Sequence, residues 1–156
     1  SALLAAIAVA LSGFSIPVGP SRCFPIQHAV NAVLGVILGP WWALGAAVVA
    51  STARNILGTG TILAFPGSAF GALAVGLAAN ALPAKYRNFA ALCEPMATGT
   101  LGAWASALLL ASVAAKTASY SFLAIAFLSS SVPGACIGFA LLQSLRYFGL
   151  RSRRGA

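Results

Sequence analysis

Long apolar runs, separated by glycine, proline and charged residues, divide this chain into about six segments. They are Ala2–Ile16, Ile26–Gly39, Trp41–Ala53, Phe65–Leu82, Asn88–Ala115 and Tyr120–Tyr147. A transmembrane helix needs about 20 apolar residues, and the second and third runs are shorter than that. These two runs are either tilted helices extended by their flanking residues or one helix kinked at Gly39-Pro40. The pattern therefore predicts an all-α membrane protein, a bundle of about six transmembrane helices.

Composition points to the same class of protein. Of the 156 residues, 60% are hydrophobic and 6% are charged, which is typical of a membrane protein. The spans leave no room for a separate soluble catalytic domain, so we expect a single transmembrane domain over residues 1–156. The chain opens in the apolar stretch SALLAAIAVALSGF, with no basic residues before it and no clean signal-peptide cleavage site after it. We therefore expect a fragment or a processed form.

The charge is strongly basic, with nine Lys and Arg residues against a single acid. Basic residues are thinly spread except in the tail 146–156, which holds Arg146, Arg151, Arg153 and Arg154. This distribution argues against nucleic-acid binding and favours a topology anchor that also meets anionic lipid. With five or with six spans, the positive-inside rule places Lys85, Arg87 and the C-terminus in the cytoplasm. We expect an integral protein of the plasma membrane.

The motifs of common enzyme classes are missing from the sequence. There is no Walker A loop, no Ser-His-Asp or Cys-His set in plausible contact, no H-E-x-x-H and no Rossmann glycine pattern. Cys23, Cys93 and Cys136 lie far apart in no metal-ligand spacing. We therefore expect no catalytic residue, no metal and no cofactor, and any ATP hydrolysis would have to occur on partner subunits.

The single acidic residue, Glu94, lies inside an apolar run, where an ionisable side chain is a functional-site hypothesis by default. Thr98 and Gly102 follow at intervals of four and share its helical face. The alternative for Thr98 is a hydrogen bond that joins two helices, which is common in membranes. Glu94 needs a cation or donors, and Arg54 and His28 are the nearest candidates in type; a purely structural ion pair is the alternative.

A second polar face lies on the second apolar run. His28, Asn31 and Gly35 share it, and Gln27 lies beside them at the membrane entrance. We expect a small ligand to occupy the space opposite Gly35 and opposite Gly102. The alternative for Asn31 is again interhelical hydrogen bonding. Arg54 and Asn55 end the third run, where Arg54 either extends to the interface or turns inward.

Two connecting segments are unusual in content. SIPVGPSRCFPIQH has three prolines, and RNILGTGTILAFPGS is rich in glycine. Irregular backbone is tolerated near a membrane where protein or a water-filled cavity satisfies its polar groups. Both segments are expected on the same outer face, so they predict a pocket with a lid that opens outward.

Two further sets of residues have alternative interpretations. Ala2, Ala6 and Ala10 place a small residue at every fourth position of the first run, which lets another helix approach closely; the helix belongs either to a partner or to the same bundle. Trp41, Trp42 and Trp104 either stack on an aromatic ligand or lie at the membrane interface, and for Trp41 and Trp42 the position beside Pro40 favours the interface.

The segment FPIQHAVNAVLGVILGPWWALGAAVVASTARNILGTGTILAFPGSAFGALAVGL resembles the ThiW family, with the strings RN-x-L-G-T-G and L-A-F-P-G-S. ALCEPMATGTLGAWAS looks like the family's G-E-x-x-G-T-G stretch, with Cys93 and Met96-Ala97 in place of the usual residues. The resemblance covers roughly residues 17–102. Pro95 departs from the family pattern, and its effect on the helix puts the role of Glu94 in question.

The resemblance implies a six-helix substrate-binding S component of an energy-coupling factor (ECF) transporter, one that binds hydroxyethylthiazole, the thiazole precursor of thiamine. In such systems a transmembrane coupling protein and two ATPase subunits drive transport, and an A-x-x-x-A surface on the first helix contacts the coupling protein. Ala2, Ala6 and Ala10 match that surface. The positions carried over as the pocket are His28, Asn31, Arg54, Asn55, Thr59 and Glu94. With Gln27 and Thr98, they form the predicted substrate site.

Two other functions remain open from the sequence. A proton-coupled carrier or a membrane-embedded enzyme would use Glu94 and His28 as a proton relay. A purely structural subunit would bind no small molecule, and the two ordered outer segments argue against it, because a scaffold needs no lid.

Overall fold

The computed structural model describes residues 6, 16–18, 21–113 and 119–149, with the backbone alone for 16–18 and 21–22. Within these ranges the chain is almost entirely helical. The helices are α1 Pro25–Leu38, α2 Pro40–Ile56, α3 Ala64–Ala81, α4 Arg87–Val113 and α5 Tyr120–Tyr147. Before them, β1 Ile16–Val18 pairs antiparallel with β2 Ser21–Cys23, so that Ile16 lies opposite Cys23.

Three of these helices, α3, α4 and α5, are long and apolar enough to cross a membrane. α1 is apolar but shorter, with 14 residues. The prediction of a helical membrane protein is confirmed at this level, whereas the described residues do not show about six spans. The first apolar run lies outside the described residues apart from Ala6, which is helical and exposed, and Ile16, which begins β1.

The second and third apolar runs form two separate helices that fold back on each other. Gly39 has φ of +89°, a backbone conformation that favours glycine, and Pro40 begins α2 with its φ already suited to a first helical turn. Arg54 near the end of α2 donates to Gln27 near the start of α1, at 2.7 Å. The contact shows that the two helices run in opposite directions, so the single kinked helix is excluded.

Glycines let the helices approach so closely that no ligand space remains beside them. A Cβ on Gly35 of α1 would lie 2.7 Å from Val75 of α3, and one on Gly102 of α4 would lie 3.3 Å from the backbone of Gly67. The expectation of a ligand opposite Gly35 and Gly102 was therefore wrong. Both glycines are points of helix contact, as small residues often are in membrane proteins.

The helix α4 changes its winding around Glu94. It begins as a 3₁₀ segment, Arg87–Cys93, continues as the α-helical turn Glu94–Ala97 and the π-helical segment Thr98–Gly102, and ends as the α-helix Ala103–Val113. Pro95 lies in the first turn of the α-helical segment, where its missing N–H leaves no helical hydrogen bond unmade, and this fits the start of α-helical winding at Glu94. The irregular segment places Glu94 and Thr98 on the same inward face, and both are fully buried.

Basic side chains gather at one end of the bundle. Arg146, near the end of α5, donates to the backbone oxygen of Lys85 at 2.8 Å. Arg87, at the start of α4, donates to the backbone oxygen of Ala79 at 3.0 Å. These contacts join the end of α5 to the connection before α4, and the end of α3 to the start of α4.

Candidate functional site

A cavity of about 470 Å³ lies at the opposite end of the bundle. It is formed by the starts of α1, α3 and α5, the end of α2 and the glycine-rich loop 57–63 that joins α2 to α3. From Phe127, which lines it, to Arg146 the helix α5 runs for 19 residues, or roughly 28 Å at 1.5 Å per residue. The cavity and the basic end are thus separated by about the thickness of a bilayer core.

The two connecting segments singled out in the sequence meet at this cavity. The glycine-rich loop contributes Gly58, Thr59, Gly60 and Thr61 to its lining. The proline-rich segment ends against α5, where Cys23 Sγ lies 3.1 Å from Ser129 Oγ and the Phe24 N–H donates to Ser130 Oγ at 3.1 Å. The predicted pocket between the two segments is therefore present.

Four of the eight predicted site residues line the cavity: Gln27, His28, Arg54 and Thr59. Asn55 instead holds the loop, because its side-chain amide donates to the backbone oxygens of Ser51 at 2.8 Å and Thr61 at 3.0 Å. Asn31, Glu94 and Thr98 are buried and do not line the cavity. Asn31 donates to the backbone oxygen of Ser68 at 3.4 Å, a contact between α1 and α3.

His28 connects the cavity to the buried acid. Its Nδ1 shares a hydrogen bond of 2.6 Å with Oε1 of Glu94, the one contact between a basic and an acidic side chain within the described ranges. Thr98 Oγ1 lies 3.0 Å from the same oxygen and 3.1 Å from the backbone oxygen of Gly67. A carboxylate at Nδ1 fixes the orientation and the tautomer of the ring. Glu94 thus contacts His28, which lines the cavity, and does not line the cavity itself.

Arg54 is 2% exposed and turns inward instead of extending to the interface. Its Nη1 donates to Gln27 Oε1 at 2.7 Å, and its Nη2 donates to the backbone oxygen of Thr59 at 3.4 Å. The guanidinium carbon lies 4.0 Å from the centre of the Phe24 ring, an arrangement that partly stabilises a buried cation. Among the described residues, Arg54 Nε and Gln27 Nε2 have no hydrogen-bond acceptor.

The residues that form the apolar walls of the cavity were not predicted from the sequence. Phe24 precedes α1, and α5 contributes Phe122, Leu123, Ala126, Phe127 and Ser130. The α5 residues follow intervals of one, three and four, which is one face of a helix. The signal is weak because α5 is apolar on every side, so nothing in its pattern marks the inner face.

Several other predicted features lie elsewhere. Trp41, Trp42 and Trp104 are 72%, 67% and 58% exposed and do not line the cavity, which favours the interface or lipid over ligand stacking. Ala2 and Ala10 lie outside the described residues. Within those residues, no group of three or more His, Cys, Asp or Glu side chains is placed to hold a metal.

A second depression, of about 690 Å³, lies at the basic end and is lined by Gln143, Ser144, Arg146, Tyr147 and Phe148. Its described lining comes from the end of one helix alone, so it is open surface around that end. It contains no counterpart of the buried polar groups at His28 and Arg54. The smaller cavity is the better candidate for ligand binding.

No curated protein and no solved structure matches the chain. One family model, described as thiamine-precursor transporter protein (ThiW), matches residues 1–148. That range includes every residue that forms the cavity. The chain therefore belongs to the ThiW family of thiamine-precursor transporters and is an integral membrane protein.

Proposed function

We propose that this chain is the substrate-binding S component of an ECF-type transporter and captures hydroxyethylthiazole or a close relative for thiamine salvage. The observation that carries the proposal is the cavity itself, which combines phenylalanine walls with a few buried polar groups. A volume of about 470 Å³ lies within the roughly 300–1,000 Å³ usual for small-molecule sites, which share this mixture of walls and anchors.

The chemistry of a thiazole suits this lining. The ring is flat, aromatic and nearly neutral, so contact with Phe24, Phe122 and Phe127 would supply most of the affinity. The ring nitrogen accepts a hydrogen bond, and the hydroxyl group both donates and accepts. His28 Nε2 makes no hydrogen bond among the described residues, and the cavity lining also includes Arg54 and Gln27, whose Nε and Nε2 have no acceptor there.

The charge distribution supports an orientation for the transporter. Lys85, Arg87 and Arg146 lie at the end of the bundle remote from the cavity. Under the positive-inside rule this end faces the cytoplasm, together with the C-terminus. In the plasma membrane the cavity would then open to the outside, where a nutrient is captured.

Partner subunits would supply the energy for transport. ATP hydrolysis would take place on two ATPase subunits, and the surface of Ala2, Ala6 and Ala10 would contact the coupling protein. The spacing of these small residues supports the contact, and the resemblance to S components supports both assignments. With the first apolar run, described helices α1 to α5 would complete a six-helix bundle.

A second candidate, a proton-coupled carrier, is favoured by one observation. The His28–Glu94 pair is buried, and a hydrogen bond of 2.6 Å joins its two members, as in intramembrane proton relays. Uptake into vesicles that depends on a proton gradient, in the absence of ATPase subunits, would favour this candidate over the S component.

Calorimetric titration of the purified protein in detergent with hydroxyethylthiazole tests the main proposal. Thiamine and riboflavin serve as control ligands. We expect saturable sub-micromolar binding of the thiazole and much weaker binding of both controls. A folded sample that binds no thiazole would contradict the proposal.

A further inference from the structure

Arg54, a positively charged side chain in the cavity lining, has no negatively charged partner in the chain. Arg54 is 2% exposed, and its guanidinium keeps its proton under all ordinary conditions. The whole chain has one acidic side chain, Glu94, and that carboxylate is bonded to His28 and Thr98. No salt bridge joins Arg54 to Glu94. Because every other residue of the sequence is neutral or basic, no other side chain can supply the missing negative charge.

The neutral groups around Arg54 do not supply acceptors for all of the N–H groups of its guanidinium. Gln27 Oε1 accepts a hydrogen bond of 2.7 Å from Nη1. The backbone oxygen of Thr59 is 3.4 Å from Nη2, and Nε has no acceptor among the described residues. The edge formed by Nε and Nη2 is therefore the poorly satisfied side. A buried charge without full compensation is costly, and two parallel N–H groups of arginine match the two oxygens of a carboxylate.

We propose that the cavity prefers a thiazole with an anionic side chain, of the carboxylate class, over neutral thiazoles of the same shape. This inference rests on the proposed thiazole-binding function and narrows its substrate. The ligand carboxylate replaces the distant Thr59 oxygen at the Nε–Nη2 edge, while the ring lies between the phenylalanine walls. Arg54 brings one positive charge, which a carboxylate balances. A phosphate group carries about 1.5 to 2 negative charges at neutral pH, more than this single cation offsets.

The test compares two thiazoles of nearly identical shape. In one, a carboxymethyl group replaces the hydroxyethyl group of hydroxyethylthiazole, and in the other the carboxyl is converted to its amide. A hydrogen bond to a charged group contributes more binding free energy than a hydrogen bond between neutral groups. We therefore expect the acid to bind the full-length protein at least about tenfold more tightly than the amide. The phosphate ester of hydroxyethylthiazole is titrated in parallel and should bind less tightly than the acid.

Substitutions of Arg54 test whether this residue causes the preference for the acid. Arg54→Gln should bind the amide and lose the preference for the acid, and Arg54→Lys should retain part of it. Arg87→Gln removes the same charge at the basic end, where Arg87 contacts the Ala79 oxygen, and should keep the full preference. Because the wild-type comparison needs no substitution, a misfolded Arg54 variant would not prevent the test.

The outcomes separate this inference from the function on which it rests. Equal binding of acid and amide by the wild-type protein would overturn the anionic preference and leave thiazole capture intact. Tighter binding of the phosphate ester than of the acid would overturn the carboxylate assignment. Failure of every thiazole to bind a folded sample would overturn the proposed function and this inference with it.

Discussion

Gly71 is the position where one added carbon tests the buried polar cluster most sharply. A Cβ at Gly71 would lie 2.5 Å from Thr98 Oγ1 and 3.0 Å from Glu94 Cδ, and it would collide with Glu94 Oε1. Gly71→Ala therefore forces either α3 and α4 apart or the carboxylate away from His28. The variant leaves every polar side chain in place and changes only its geometry.

Both responses to Gly71→Ala have similar costs. Overpacking in a close-packed interior costs about 1–3 kcal/mol, and loss of a charge-assisted hydrogen bond costs about 1.5–3 kcal/mol. Alanine gains about 0.5–1 kcal/mol over glycine inside a helix. We therefore expect a net destabilisation of about 1–2 kcal/mol, and thiazole affinity should fall by roughly 5–30-fold if His28 must be held by Glu94.

Gly45→Ala is the matched control, because a Cβ at Gly45 in α2 meets nothing within 4 Å. Thermal unfolding in detergent and calorimetry with hydroxyethylthiazole would be measured for both variants. Gly45→Ala should leave affinity unchanged and keep or raise Tm. If Gly71→Ala behaved in the same way as Gly45→Ala, the tight contact of α3 with Glu94 and Thr98 would be refuted.

Three other substitutions have distinct expected outcomes. Glu94→Gln keeps the shape and weakens the hydrogen bond to the imidazole, so calorimetry should show thiazole binding about 5–30-fold weaker in a folded protein; full affinity would contradict its role. Asn55→Ala removes the 3.0 Å bond to Thr61 and should speed ligand release by roughly 3–10-fold in stopped-flow experiments, whereas an unchanged release rate would mean the loop is held otherwise. Phe127→Ala removes a cavity wall and should weaken binding about tenfold, while Phe89→Ala, which removes a ring outside the cavity lining, should not; equal effects would argue against the assigned wall.

The long helices could be predicted from the sequence because glycine, proline and charged residues mark the ends of each apolar run. The last run coincides with α5, Tyr120–Tyr147, and the fourth is displaced by one residue from α3, Ala64–Ala81. The two short runs were ambiguous, since Gly39-Pro40 is compatible with a kink or a turn. The positive φ of Gly39 produces the turn, and this backbone angle cannot be read from the sequence.

Polar residues of the candidate site could be proposed from the sequence, but the way in which the helices pack around them could not. A lone acid among apolar residues needs a partner, which pointed to His28 or Arg54, and the structure selects His28. Spacing along one helix does not tell which residues of other helices fill the space opposite a glycine. For that reason the ligand was expected opposite Gly35, where Val75 lies.

Location of the thiazole between α5 and the glycine-rich loop is the central claim, and one pair of variants tests it directly. Ala126 of α5 lines the cavity, whereas its neighbour Ile125 is 68% exposed. Calorimetry with hydroxyethylthiazole on Ala126→Trp and Ile125→Trp places the same indole on two sides of one helix. We predict that Ala126→Trp loses binding by at least about tenfold and that Ile125→Trp binds as the wild-type protein does. Wild-type affinity in a folded Ala126→Trp variant would contradict the account, because the ligand would then occupy another part of the molecule.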